Sequence, residues 1–220
     1  MPNWCNNNIK IEGPKEKIKA IWDKVQADDD KGFFNHLVPM PKELDNTTSP
    51  TPEKGSANYK GPQPKIDGFD NWYDWRVDQW GTKWDISTDD SGLQYREDGD
   101  LGFIEGWYDT AWAPALNCFD TFQRKHNDIY ITNWYYEGGC DFAGCYTDGS
   151  DDCINPSDHP KSEEWLDADR DSFIGQLDDM FGIGESIAQY EEEQETEAER
   201  KVRELVVEKK AQNMPEGELA

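Results

Sequence analysis

Positive charge is what this chain has least of: 22 Lys and Arg stand against 47 Asp and Glu, a formal net charge of −25. Such a surface repels nucleic acid, anionic membranes and phosphate ligands at long range, and draws basic proteins inward. Long apolar runs are also missing, and no stretch approaches the ~20 residues that span a bilayer. The opening MPNWCNNNIKIEG lacks the basic-then-apolar layout of a secretory signal, so the expectation is an intracellular protein without a membrane partner. The five cysteines, an odd number in a long chain, suit reduced thiols better than a disulfide framework. Only 35% of the residues are hydrophobic although 13% are aromatic, which predicts one aromatic-rich core carrying long polar segments.

Groupings that carry chemistry are scarce as well. Cys140, Cys145 and Cys153 are spaced C-x4-C-x7-C. That spacing fits neither zinc ribbons and knuckles nor plant-type ferredoxins, so no metal and no iron–sulfur cluster is expected. Cys140 and Cys145 straddle a predicted hairpin, where they could meet across strands; otherwise these thiols are buried or incidental. His36, His126 and His159 fall in unrelated segments and give no readable triad. No phosphate loop is present. Asp74, Asp85, Asp109 and Glu137 could converge on a divalent metal. The competing reading, which we favour, pairs them with Arg76 and Lys83 beside indoles. Sheet aromatics can stack bases, but the basic rim that would track phosphates is absent, which disfavours a nucleic-acid partner.

What the chain does have is tryptophan. Four of its ten fall in NWYDWRVDQWGTKWD, residues 71–85. Asn71 can cap a helix there and Gly81 can end it in the left-handed conformation. Trp72, Trp75 and Gln79 then share one helical stripe, and Arg76 and Trp80 the next. Past Gly81, the alternation of Thr82, Trp84 and Ile86 against Lys83 and Asp85 predicts a strand. Trp72, Asp74, Trp75, Arg76, Trp80, Lys83, Trp84 and Asp85 are therefore the candidate interaction or structural cluster, with no catalytic residue assigned.

Around this unit, residues 5–12 alternate as a half-buried strand, and Gly13-Pro14 turns it into an amphipathic helix carrying Ile18, Ile21, Trp22 and Val25. A strand is expected over 33–38, then a Pro/Gly/Ser-rich loop over 42–70, partly disordered in its middle. Residues 101–112 read as a central strand with Phe103, Trp107 and Ala111 on one face. A helix opens at Pro114, and strands 129–137 and 142–147 form a hairpin around Gly138-Gly139. The fold class is α+β: a ferredoxin-like split βαβ antiparallel sheet with an inserted Trp-rich helix-strand unit and an acidic helical C-terminal tail. The domain spans 1–155 and the tail 156–220. Residues 157–220 carry 19 acids against 7 bases, with an apolar stripe over 173–181 and a charged helix over 185–210 that has nothing to bury between Glu191 and Lys201 except Ala198.

Five blocks occur in one order: MPNWCNN, VPMPKEL at 38–44, the tryptophan stretch, TAWAPA at 110–115 and YYEGGCDFAG at 135–144. Over residues 1 to about 150 the chain resembles the YubB-like ferredoxin-like family of plasmid-, genomic-island- and bacteriophage-encoded proteins. That name refers to chain topology, and the resemblance implies neither a cofactor nor catalytic residues. The functional expectation is a non-enzymatic accessory protein of a mobile element, a bacteriophage, that binds a host or phage protein in the host cytoplasm. Its sharper form is an acidic inhibitor occupying a host protein's DNA-binding groove. The alternative is a small metal-dependent hydrolase or nuclease using the clustered carboxylates.

Overall fold

The computed structural model describes residues 3–28 and 31–212. The chain divides into two compact units, Met1–Pro156 and Ser157–Ala220. The first unit is α+β and is built on a six-stranded, wholly antiparallel sheet. Its strands are β1 (Trp4–Pro14), β2 (Gln94–Asp98), β3 (Leu101–Ala111), β4 (Tyr130–Glu137), β5 (Phe142–Thr147) and β6 (Ser150–Ile154). They lie in the order β2-β3-β1-β4-β5-β6. The sheet thus differs from a simple split βαβ, because the β5–β6 hairpin extends it beyond β4.

Alternation decides which face of the sheet is covered. Cys5, Asn7, Ile9 and Ile11 of β1 are all buried, and their neighbours across the ladder include Tyr108, Ile104 and Ile131. Onto that face pack residues of α1 (Lys15–Ala27), α2 (Phe33–Leu37), α3 (Trp72–Trp80) and α4 (Leu116–Gln123), which share one core with the strands. Phe34 is the hub. Its ring meets Tyr108 and Phe119 edge-on at 6.0 and 6.2 Å and Trp80 at 6.1 Å, separations typical of favourable aromatic pairs. Polar groups on this face are satisfied. Asn7 donates to Thr110 at 3.0 Å, Asn133 to Asn7 at 3.1 Å, and the Tyr108 hydroxyl to Asn133 at 2.7 Å. A closed network of this kind rigidifies a core instead of costing it unpaired donors.

Two expected strands are absent. Residues 33–37 are helical: Phe33, Phe34, Leu37 and Val38 are spaced i, i+1, i+4, i+5, a helical stripe and not an alternation. Side-chain capping from far along the chain completes α2: the Asp85 carboxylate accepts from the N–H groups of Phe34 and Asn35 at 2.7 and 2.9 Å, satisfying helix N-terminal donors. Residues 82–86 form no strand, so the inserted unit is a helix followed by a loop. The Ile86 carbonyl accepts from Phe33 N–H instead of joining a ladder. The helix itself is as expected, with Asn71 Oδ1 accepting from Asp74 N–H at 2.9 Å and Gly81 left-handed at φ +93°.

The second unit contains α5 (Ser162–Leu166), α6 (Phe173–Phe181) and α7 (Ile183–Gln212). The helix expected over 185–210 begins two residues earlier and is not idle within its unit. Glu191 accepts from the Ser162 hydroxyl at 2.6 Å at the start of α5. Gly184 lies so close to Trp165 that an added β-carbon would sit 2.8 Å from the Trp165 β-carbon. Trp165 is buried and donates its indole N–H to the His159 carbonyl at 2.9 Å. The stretch around Ala198 lies outside the residues whose side chains are described. No helix among the described residues is long and apolar enough to cross a membrane.

Candidate interaction site

The predicted tryptophan cluster separates into two parts. Trp75 and Trp80 are core, packed edge to face at 5.7 Å, with the Trp80 indole donating to the Val38 carbonyl at 2.9 Å. Arg76 is half-buried, its guanidinium lying over the rings of Trp72 and Trp80 at 5.2 and 4.9 Å. Its Nε is buried without a hydrogen-bond partner. Asp74 is exposed and accepts from the Asn71 amide at 2.7 Å, closing the start of α3. These residues serve the helix.

Lys83, Trp84 and Asp85 belong elsewhere, to a corner of exposed indoles. Trp84 is 40% exposed and lies 5.9 Å from Trp4, which is 48% exposed. The Lys83 ammonium sits between Trp84 and Trp112, 4.2 and 4.1 Å from the two ring centroids. Trp107 lines one cleft with Trp4. Large apolar side chains cost free energy when left in water, and contiguous exposed ones mark interaction surfaces. The backbone supports the same reading: Trp112 has φ +71°, a left-handed conformation that a bulky residue adopts only at a cost of about 1–3 kcal/mol. Its N–H is held by the Asn3 carbonyl at 3.0 Å.

Trp4, Trp107 and Trp112 were not in the sequence-derived cluster. The signal for two of them was present. Trp107 shares a face with Phe103 and Ala111 by alternation, and the β1–β3 register puts Trp4 opposite Ala111 on that face. That face is opposite the one on which Ile9, Ile11 and the helices pack, which a strand pattern alone cannot say.

Asp85 links the core to this corner. Besides the two α2 donors it accepts from Ile86 N–H at 2.8 Å. Burial nevertheless pushes its carboxyl up to about 6, against the pull of those three donors and of Arg76. A raised folded-state pKa gives stability that is complete below the unfolded value near 3.9 and lost as pH rises through about 6. Relative to Asp85→Asn, the native protein is expected to lose about 2–3 kcal/mol between pH 4 and pH 7. Denaturation of both proteins across that range checks it. A difference that holds constant or grows with pH would show that the backbone donors outweigh burial.

Of the remaining candidates, Asp109 lines one cleft with Asp85, whereas Asp74 and Glu137 are not in that lining. Asp109 accepts from the Asn6 amide at 2.8 Å, and Glu137 takes the N–H groups of Gly139 and Cys140 in the β4–β5 turn. Asp74, Asp85, Asp109 and Glu137 therefore serve four local structures, and among the described residues no group of three or more His, Cys, Asp and Glu could hold a metal ion. Cys140 and Cys145 do not meet across the hairpin: Cys140 is exposed in the turn, while Cys145 faces Trp134. Burial raises the Cys5 thiol to about 12 and Cys118 well above its ordinary value, which leaves both unreactive as thiolates.

No protein-family model, curated protein or solved structure matches this chain. An α+β protein with an exposed aromatic corner is the class that fold and site define.

Proposed function

We propose that this is a non-enzymatic binding protein that engages another protein through the Trp4–Trp84–Trp107–Trp112 corner. The observation that carries it is the contiguity of these exposed indoles at a strained Trp112, because exposed tryptophan is costly alone and is the residue most enriched where interfaces gain their energy. The other face-bearing aromatics do not make a nucleic-acid platform. Of the cations near them, Lys10 and Arg96 are paired with Glu12 at 2.6 Å and Glu105 at 2.8 Å, and Lys83 is held between Trp84 and Trp112, which leaves no basic rim to track phosphates. Only Asp85 and Asp109 of the four carboxylates share a cleft, and among the described residues no group that could hold a metal ion forms, so the metal-dependent hydrolase alternative gains no support.

The sequence blocks add context to this proposal. The resemblance to YubB-like proteins makes it an accessory protein of a mobile element, a bacteriophage, acting on a protein in the host cytoplasm. The order β2-β3-β1-β4 supports a ferredoxin-like core, to which β5 and β6 are an addition. The charge of −25 supports a basic partner, including a host protein whose DNA-binding groove the acidic surface would occupy.

Capture of partners from bacterial lysate by the full chain tests this. A specific partner is expected to bind the native protein and a Val77→Ala variant, and to be lost by the Trp84→Ala/Trp112→Ala double variant with its melting temperature retained. Equal capture by the double variant would move the interaction away from this corner.

A further inference from the structure

Two clefts share the wall formed by Asp85, Ile86, Ser87 and Asp90. The larger, about 680 Å³, is also lined by Lys31 and Arg76, so the chain supplies its own cations there. The smaller, about 420 Å³, has no Lys or Arg in its lining. It lies between the 85–92 loop and β3, beyond the point where β2 stops pairing at Glu105. Trp4 and Trp107 flank it, exposed by 48% and 45%, with Asp85, Asp90 and Asp109 in its lining. We propose that this cleft receives a lysine or arginine side chain from a basic protein segment, a proposal that rests on the protein-binding reading above and names its chemistry.

Aromatic faces, acids and net charge agree on a cation. Indole faces attract ammonium and guanidinium groups through the ring quadrupole, most strongly among the aromatic side chains. The chain makes this contact internally one step away, with Lys83 between Trp84 and Trp112 at 4.2 and 4.1 Å. On the same sheet face, Lys10 and Arg96 lie over Phe103 at 5.0 and 4.1 Å. Acids then decide the sign of the occupant. The Asn6 amide holds Asp109 Oδ1 at 2.8 Å and so orients that carboxylate, while Asp90 is exposed at the cleft. Asp85 adds charge rather than a hydrogen bond, because its oxygens are occupied by backbone donors. A cavity of about 420 Å³ is in the range of side-chain and small-ligand pockets. The net charge of −25 would steer a basic segment toward it.

The test uses the full chain, with indole N–H signals assigned by NMR, titrated with peptides alternating glycine with lysine, with arginine or with glutamate. The lysine and arginine peptides are expected to shift the Trp4 and Trp107 signals, and the glutamate peptide to leave them in place. Trp107→Ala and Asp90→Asn should each weaken the basic peptides by about fivefold, while Val77→Ala should not. Asp90 is an exposed loop residue, so its variant keeps the test valid if Trp107→Ala misfolds. Basic peptides that shift neither indole, or that bind both variants as tightly as the native chain, would overturn the proposal and leave only diffuse charge attraction. The two readings fail separately. Lysate capture that depends on Trp84 and Trp112 but is unchanged in Trp107→Ala and Asp90→Asn sinks the cleft and spares the corner, whereas capture independent of Trp84 and Trp112 sinks the corner itself.

Discussion

Trp80→Ala is expected to destabilise the protein by about 3–5 kcal/mol, the range for deleting a buried large aromatic. Trp80 has no exposed surface, packs edge to face on Trp75 at 5.7 Å and meets Phe34 at 6.1 Å. Its removal would open a cavity under α2 and α3 together. It would also strip the Val38 carbonyl of the indole donor 2.9 Å away, and a buried acceptor left unpaired adds to the loss. Arg76 would lose one of the two rings beneath its guanidinium. Urea titration of the native and variant chains measures the change. A loss under about 1 kcal/mol would mean that α3 is not held by its core face. Trp84→Ala is the natural comparison, since a 40%-exposed indole on the same stretch of sequence should cost far less.

Gly106→Ala should be comparably harmful although it adds only one methyl group. Gly106 has φ +144°, where L side chains are strained, and a β-carbon there would lie 2.1 Å from the Gly92 carbonyl oxygen. The obstructing atom is backbone and cannot rotate away. Gly92 donates to the Trp107 carbonyl at 2.8 Å, and that bond ties the 85–92 loop to the edge of β3 that β2 no longer pairs. Conformational strain of about 1–3 kcal/mol and overpacking of about 1–3 kcal/mol together predict a loss of about 2–6 kcal/mol. The loop should detach, widening the cleft beside Trp107. Faster hydrogen exchange at the Gly92 amide together with a lowered melting temperature would report this. Native-like exchange at Gly92 would show that the loop is held by other contacts.

Much of this protein is legible in its sequence because period and punctuation are local. Alternation along residues 5–12 marked β1 and its buried face, and Asn71 and Gly81 bracketed α3 because a cap and a left-handed stop act within one turn. The charge, the odd cysteine count and the absence of a long apolar run are likewise read directly off the chain. Errors came where a distant group intervened. Residues 33–37 wind into a helix whose first donors are satisfied by Asp85, some fifty positions away, and residues 82–86 give up a ladder to serve that helix. Tertiary structure alone decided the rest. A strand pattern says which side chains share a face but not which face the helices cover, so it could not leave Trp4 and Trp107 exposed. Nor could spacing show that, of the four carboxylates, only Asp85 and Asp109 would line one cleft, because convergence depends on where the backbone carries each of them.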